Sequence, residues 1–163
     1  MSLATYHHKR DFKKTSEPVG KKSIKAKAIY VIQKHAASHL HYDLRLEMNG
    51  VLKSWAVPKG PSRDPHVKRL AIEVEDHPIA YAKFHGTIPK GEYGAGKVTI
   101  WDKGTWKSEN SAKKAYQRGN MTFDLFGKKL KGRWKLIRIR IKSAKNPSWL
   151  LIKIKDRYAT KTH

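Results

Sequence analysis

The sequence predicts an all-β domain, mainly antiparallel, closed as a barrel or sandwich. Three observations carry this. Short segments of alternating polarity fill the chain from Ile29 onward, turn residues separate them, and an Asn49-Gly50 pair stands between two of them.

The elements follow in order. Residues 1–28 are polar and basic, with Pro18 and Gly20 and little periodicity, and read as an extended arm. Residues 39–48 alternate strictly: Leu40, Tyr42, Leu44 and Leu46 point one way, and His39, His41, Asp43, Arg45 and Glu47 the other. Asn49-Gly50 is a hairpin signal because both central residues of that turn need positive φ. A two-residue turn pairs Met48 with Val51. Arg45 then lies opposite Ser54, Asp43 opposite Ala56, and Trp55 on the Leu44 side. The polar face is thereby opposed by small residues, which leaves room for a ligand. After a Pro/Gly loop over 59–66, residues 69–75 alternate again, with Leu70, Ile72 and Val74 inward and Arg69, Glu73, Glu75 and His77 on the other face. Further strands are expected at 97–102, 105–108, 121–126, 133–142 and 149–155. One short helix is expected at 112–118, with Ser111 as its N-cap and Gly119 as its C-cap. The domain boundaries read as an arm over 1–28, the β domain over 29–157 and a tail over 158–163.

The 163 residues are enough for one such domain and too few for several enzymes in series. With 36 Lys+Arg against 13 Asp+Glu the formal charge is +23, so the expected partner is a polyanion, nucleic acid first. Cysteine is absent, which excludes disulfide scaffolds, zinc ribbons and cysteine nucleophiles and leaves any metal to His, Asp or Glu. The N-terminus has no apolar signal region, and no run approaches the length of a membrane span. The expectation is a soluble, cytoplasmic, nucleoid-associated protein. All five Trp sit in strand-like segments and read as core, not base-stacking platforms. The last third, residues 127–157, holds twelve Lys/Arg and one acid, Asp156, and its alternation around Arg138 and Arg140 predicts a basic exposed face that holds phosphates. No Lys-x-Asp-Gly occurs, against a ligase-type adenylation site, and no phosphate-binding loop opens a helix. The glycine-rich stretch 86–96 reads as a tight turn packed under the sheet.

The chemical signal is Gln33-Lys34-His35-Ala36-Ala37-Ser38-His39-Leu40-His41-Tyr42-Asp43-Leu44-Arg45. Alternate residues of a strand share a face and rise about 6.6 Å, which two imidazoles span by leaning onto one ion. On that basis His39, His41 and Asp43 form a candidate site suited to Mn, Zn or Fe(II), with Arg45 placed to clamp an anion. The competing reading is a solvated polar strand face. Three His, an Asp and an Arg between positions 35 and 45 weigh against it.

The motif Gln-Lys-His…His-Tyr-Asp-x-Arg, the later Glu-Asp-His-Pro and the arm's Arg10-Asp11-Phe12 and Thr15-x-Glu17-Pro18 together resemble the 3′-phosphoesterase module of bacterial and archaeal DNA ligase D. The likeness runs over roughly residues 9–157. It implies a compact β-barrel with small flanking helices. The implied activity is Mn-dependent end healing at a primer–template: removal of a 3′-terminal ribonucleoside, then of the 3′-phosphate, leaving a 3′-OH for end joining. The resemblance makes His35, His41 and Asp43 the ligands of Mn2+, with Zn2+ or Co2+ as alternatives, so His35 competes with His39. It makes Arg45, His77 and Tyr81 catalytic, with Arg45 and His77 on the phosphate and His77 a candidate proton donor. It aligns Gln33, Lys59, Arg69 and Glu75, and Arg10, Asp11 and Glu17 of the arm, with positions needed for activity or substrate binding. The implied partners are DNA 3′ ends and, because many family members are fused to polymerase and ligase domains, separate ligase, primase-polymerase and Ku-type end-binding chains. Two other readings stand beside it: a non-catalytic basic β-domain that binds DNA or RNA, and a metal-dependent hydrolase of small phosphoesters.

Overall fold

The computed structural model describes residues 3–18 and 28–161. Nine strands run along the chain: β1 (Ile29–Ala36), β2 (Leu40–Met48), β3 (Val51–Val57), β4 (Arg69–His77), β5 (Gly86–Ile88), β6 (Gly96–Ser108), β7 (Asn120–Gly127), β8 (Lys131–Ile139) and β9 (Ser148–Lys153). Two short helices, α1 (Leu3–His8) and α2 (Ala112–Arg118), and a 3₁₀ turn at Ile79–Lys83 complete the described elements.

The strand order is β1-β2-β3-β4-β9-β8-β7-β6, and β6 pairs back onto β1. Every pairing is antiparallel, so the sheet closes into an eight-stranded barrel with no open edge around its wall. β5 adds to the first residues of β6 outside the closed ring. The interior is apolar: Trp55, Trp134 and Trp149 are fully buried and meet Leu44, Met121 and Phe123. Trp106 is also buried and Trp101 packs against this core, so the tryptophans are packing residues, as their strand positions predict.

The hairpin is formed as the spacing predicts. Asn49 and Gly50 have φ of 53° and 79°, and the register pairs Met48 with Val51, Arg45 with Ser54 and Asp43 with Ala56. The helix at 112–118 is also in place. The Ser111 side chain accepts from the Lys114 amide, and Gly119 closes the helix at φ 72°.

Four details differ from the sequence reading. The strands expected at 97–102 and 105–108 are one strand, β6, kept continuous by a bulge: Ile32 faces Asp102 and Gln33 faces Ile100, so Trp101 is the extra residue. β8 stops at Ile139, short of the expected 142. On β4 the faces are exchanged. Leu70 is 38% exposed, whereas Glu73 is 2% exposed, because Ala71 and Glu73 lie on the barrel side, where Glu73 accepts from Trp149 Nε1 at 3.0 Å and from the Tyr116 hydroxyl; Glu75, past the exchange, is buried in an outer cleft against Arg10. The fourth is the arm. Leu3–His8 is helical, and Asp11 starts a turn by accepting the amides of Lys14 and Thr15 at 2.9 and 3.2 Å. Its overall polarity hid Tyr6 and Phe12, which anchor it in a second apolar cluster with Val31, Leu52, Tyr81 and Ile88 on the outside of the barrel. The stretch 19–27 of the expected arm and the end of the expected tail lie outside the described residues. No helix among the described residues is long and apolar enough to cross a membrane.

Candidate metal and phosphate site

Directly paired residues of a sheet share a face. Leu44 and Trp55 face the interior, so their neighbours Asp43, Arg45, Ser54 and Ala56 face outward, under the cover made by the arm, the 3₁₀ turn and β5. There Asp43, Arg45 and Ala56 line a cleft of about 230 Å³.

The β1–β2 hairpin sets His35 directly across from His41, and Gln33 across from Asp43. His35 Nδ1 lies 3.6 Å and His41 Nε2 3.3 Å from the Asp43 carboxylate, and the three potential donor atoms fall within 4.8 Å of one another. Both imidazoles are oriented by backbone carbonyls, which only accept. His35 Nε2–H donates to Gly94 O at 2.7 Å, and His41 Nδ1–H donates to His39 O at 3.0 Å. Each ring therefore turns its remaining lone pair toward Asp43, which is the second-contact arrangement of a ligating histidine. The donor set of two neutral nitrogens and one carboxylate oxygen fits a divalent transition metal. Burial would raise the Asp43 carboxyl, but the Arg45 charge and the polar contacts with the two imidazoles outweigh it and hold Asp43 far below the usual carboxylate range. Protonation of His41 at Nε2 would turn its lone pair into a donor to Asp43, and this raises the ring's pKa against its partial burial.

His39 is the sequence candidate that the structure leaves out of this cluster. It sits in the exposed turn before β2, and only its carbonyl takes part. Cross-strand neighbours stand about 5 Å apart, against about 6.6 Å for alternate residues on one strand, so the pairing partner His35 is better placed.

Arg45 forms the second part of the site. Its Nε donates to Gln33 Oε1 at 2.6 Å, and Nη2 lies 3.4 Å from Asp43 Oδ2. Gln33 is itself fixed by donating to the Tyr81 and Phe84 carbonyls at 2.8 and 3.0 Å. The guanidinium stacks over Tyr81 at 4.9 Å. His77 stands 3.2 Å from Arg45 Nη1. Its Nδ1–H donates to Glu75 O at 2.9 Å, so Nε2 is the acceptor facing Arg10 Nη2 at 3.3 Å. Burial first, then the charges of Arg45 and Arg10, push His77 well below 6.5, so the ring is neutral at pH 7. A second bulge brings it here. Leu52 faces His77 while Ser54 faces Val74, so β4 carries one extra residue, which moves His77 from the Glu73 face to the face of Val74 and Asp43.

The arm closes the cleft. Arg10 lies 4.1 Å over the Tyr6 ring and pairs with Glu17 at 2.9 Å and Glu75 at 3.2 Å. Glu17 also accepts from the Tyr81 hydroxyl at 2.7 Å and from Thr15 at 3.0 Å. Burial keeps the Tyr81 hydroxyl protonated as that donor. The structure thus gathers His35, His41, Asp43, Arg45, His77, Glu75, Gln33, Tyr81, Arg10 and Glu17. Asp11 is exposed and shapes the turn that presents Arg10. Lys59 is exposed in the turn after β3, and Arg69 starts β4 opposite Leu151, on the face of Ala71; neither lines the cleft. Both stand at the end of the barrel where β2 begins. Sequence reasoning missed Tyr6, Lys9, Tyr93 and the carbonyl of Gly94. The glycine-rich stretch is more than a turn under the sheet. Gly94 (φ 74°) brings its carbonyl to His35, and Tyr93 meets Lys9 Nζ at 3.2 Å. Its glycines were the available signal, but only the fold shows what they approach.

A triad of candidate metal ligands beside two guanidinium groups gives this outer face the chemistry to take a divalent ion and a phosphate in one cleft. Residues 33–138 match the family model of the DNA ligase D 3′-phosphoesterase domain, and the chain belongs to that family. It is 53% identical over 157 residues to the multifunctional non-homologous end joining protein LigD of Pseudomonas aeruginosa, and 44% identical over 162 residues to the protein of that name from Mycolicibacterium smegmatis. Each match covers 94% of this chain and only 19% and 21% of the relative, so the chain spans about a fifth of their length.

Proposed function

We propose that this protein is a Mn-dependent phosphoesterase that heals DNA 3′ ends: it removes a 3′-terminal ribonucleoside, then the remaining 3′-phosphate, and leaves a 3′-OH for non-homologous end joining. The observation that carries this reading is the pair of imidazoles whose N–H groups are tied to carbonyls while both lone pairs converge on Asp43 beside Arg45. A divalent ion on His35, His41 and Asp43 would supply electrostatic stabilisation at the phosphoryl group and acidify water.

The chain's own groups have distinct tasks. Arg45 and Arg10 hold the phosphoryl oxygens and offset charge that grows in the transition state. His77, neutral between them with Nε2 unprotonated, takes up a proton there once a phosphate dianion offsets the two guanidinium charges, and only then donates to the phosphoryl group as a proton carrier. Gln33, Glu75, Glu17 and Tyr81 keep the two arginines in position. Lys59 and Arg69, at the same end of the barrel, contact the neighbouring nucleotide. The partners are primer–template 3′ ends and, in the end-joining reaction, ligase, primase-polymerase and Ku-type proteins acting at the nucleoid. A merely DNA-binding domain would have no use for buried His77 and Asp43.

The test is a labelled primer ending in one 3′ ribonucleotide, annealed to a template and incubated with Mn2+. The expected products are a primer shortened by one nucleoside with a 3′-phosphate, then the 3′-OH form. No shortening and no dephosphorylation at micromolar protein would overturn the reading.

A further inference from the structure

One side chain lining the phosphate cleft has no task in the chemistry above. Tyr93, in the loop between β5 and β6, lines the cleft, yet it is 47% exposed and belongs to neither apolar cluster. A single exposed ring is ordinary on a protein surface. This one is held in place from both ends. Ala95 N donates to Glu92 O at 3.1 Å across a tight turn with Tyr93 and Gly94 at its centre, and Gly94 takes the positive φ of 74°. The same Gly94 gives its carbonyl to His35 Nε2 at 2.7 Å, so the ring is attached next to the group that orients a candidate metal ligand. At its other end, Lys9 Nζ lies 3.2 Å from the hydroxyl and 4.5 Å from the ring centre. Lys9 is itself paired with Glu75 at 3.3 Å, so its charge is already matched and it fixes the ring. The Arg10 guanidinium stands 5.5 Å from the ring centre and reaches His77 Nε2 at 3.3 Å. A phosphoryl oxygen held by Arg10 is therefore next to the Tyr93 ring.

The two sides of a terminal phosphodiester need different contacts. On the O3′ side is the primer, a polyanion that cations hold. On the O5′ side is a single nucleoside with no further phosphate. It offers a sugar and a π-face, and aromatic side chains bind bases of any identity by stacking. The loop of Tyr93 leads into β6, beside β1, whereas Lys59 follows β3 and Arg69 starts β4, so ring and cations approach β2 from opposite sides.

We infer that the exposed Tyr93 ring is the stacking platform for the 3′-terminal nucleoside, the group that leaves in the first of the two proposed reactions; the inference rests on the proposed function for that reaction. In this step water adds across the P–O5′ bond. The hydroxyl stays on phosphorus as the primer's 3′-phosphate, and the proton ends on O5′ of the released nucleoside. The second step, loss of the phosphate, has no nucleoside on that side. Tyr93 is thus a binding residue for one of two substrates of the same cleft and sets the preference between them.

The test compares Tyr93→Ala and Tyr93→Phe with the parent. With Mn2+, kcat/KM is measured on a primer ending in a ribonucleotide and on the same primer ending in a 3′-phosphate. In Tyr93→Ala the ratio of the first to the second should fall about tenfold, chiefly through KM. Tyr93→Phe keeps the ring and loses the hydroxyl contact with Lys9, and its ratio should stay within about twofold of the parent's. An unchanged ratio in the alanine variant overturns the inference, whether both activities fall together, as a purely structural ring would give, or neither falls. So does a phenylalanine variant whose ratio falls like that of alanine, which would assign the effect to the hydroxyl and Lys9.

A second measurement needs no turnover. Calorimetric titration of the metal-free protein with 5′-AMP and with ribose 5-phosphate, which carry the same charge, isolates the base. The parent should hold 5′-AMP about tenfold more tightly, and Tyr93→Ala should hold the two within about twofold of each other. Equal affinities in the parent overturn the platform. A parent that prefers 5′-AMP but cleaves neither primer sinks the proposed function and leaves the platform. A parent that cleaves both, with neither contrast in the alanine variant, does the reverse.

Discussion

The two faces of strands β1 to β4 use the same backbone for opposite purposes. Inside the barrel, Ile32, Leu44 and Trp55 sit in an apolar core that needs only volume and burial. Outside, their sequence neighbours Gln33, Asp43, Arg45 and Ser54 are buried to a similar degree, yet almost every polar atom has a named partner. The difference teaches that burial here has two sources. The core excludes water by closing the sheet on itself. The outer face excludes it only because the arm, the 3₁₀ turn and β5 are laid across it, so its charges are desolvated by segments remote in sequence. Stability belongs chiefly to the first face and reactivity to the second.

Loss of a ligand should separate the faces most sharply. His41→Ala is expected to abolish both proposed reactions while duplex affinity and the circular-dichroism spectrum stay as in the parent; retained turnover in that variant would refute the metal assignment. The mirror change is Trp134→Ala, whose cavity should cost about 3–5 kcal/mol in urea denaturation, a large part of an ordinary domain's stability of about 5–15 kcal/mol. A shift below about 1 kcal/mol would mean that the interior is not the main source of stability. Gln33→Ala frees Arg45 Nε without touching the triad and should lower kcat/KM by about 10–100-fold, with its melting temperature within a few degrees of the parent. An unchanged kcat/KM in that variant would show that Gln33 does not position Arg45.

The smallest effect concerns pH. The unfolded His77 titrates near 6.5 and the folded one well below it, so under pH 6.5 the unfolded chain binds the extra proton and stability falls with falling pH. His41 has the opposite sign: its raised value gives stability that is full below its unfolded 6.5 and is lost as pH rises through the folded value. Asp43 enters only lower still, since its contribution is present above 3.8 and lost as pH falls through its depressed value. The urea midpoint of His77→Gln between pH 7 and 5 should therefore fall less than the parent's. A parallel fall in both proteins would show that His77 is not the desolvated group.

The barrel was legible because its signals are local. The Asn49-Gly50 turn, the alternation of β2 and the caps of α2 each lie within a few residues, and the register they imply is the observed one. The site was legible where chemistry sits on β2 itself, at His41, Asp43 and Arg45. It was not legible where a partner comes from elsewhere. His35 outranks His39 only once β1 is paired, and Tyr6 and Lys9 join only because the arm folds back. The face of His77 was hidden for another reason, since alternation assumes an unbroken strand. Arg138, read as part of an exposed basic face, is exposed there and in addition closes the end of α2, a contact made across an element boundary that the sequence did not show.

The bulge in β4 has a consequence for reading variation in such chains. Most one-residue insertions or deletions are absorbed by loops and leave function alone. Between Val74 and His77 the strand takes three residues where β3 takes two. Removing one would straighten the strand and leave the imidazole opposite Leu52 on the cleft face, so the loss would fall on Glu75, the partner of Arg10, or on Asp76, the partner of Lys53. A chain shorter by one residue there would keep every histidine and arginine of the site and still lack a carboxylate that holds one of its cations.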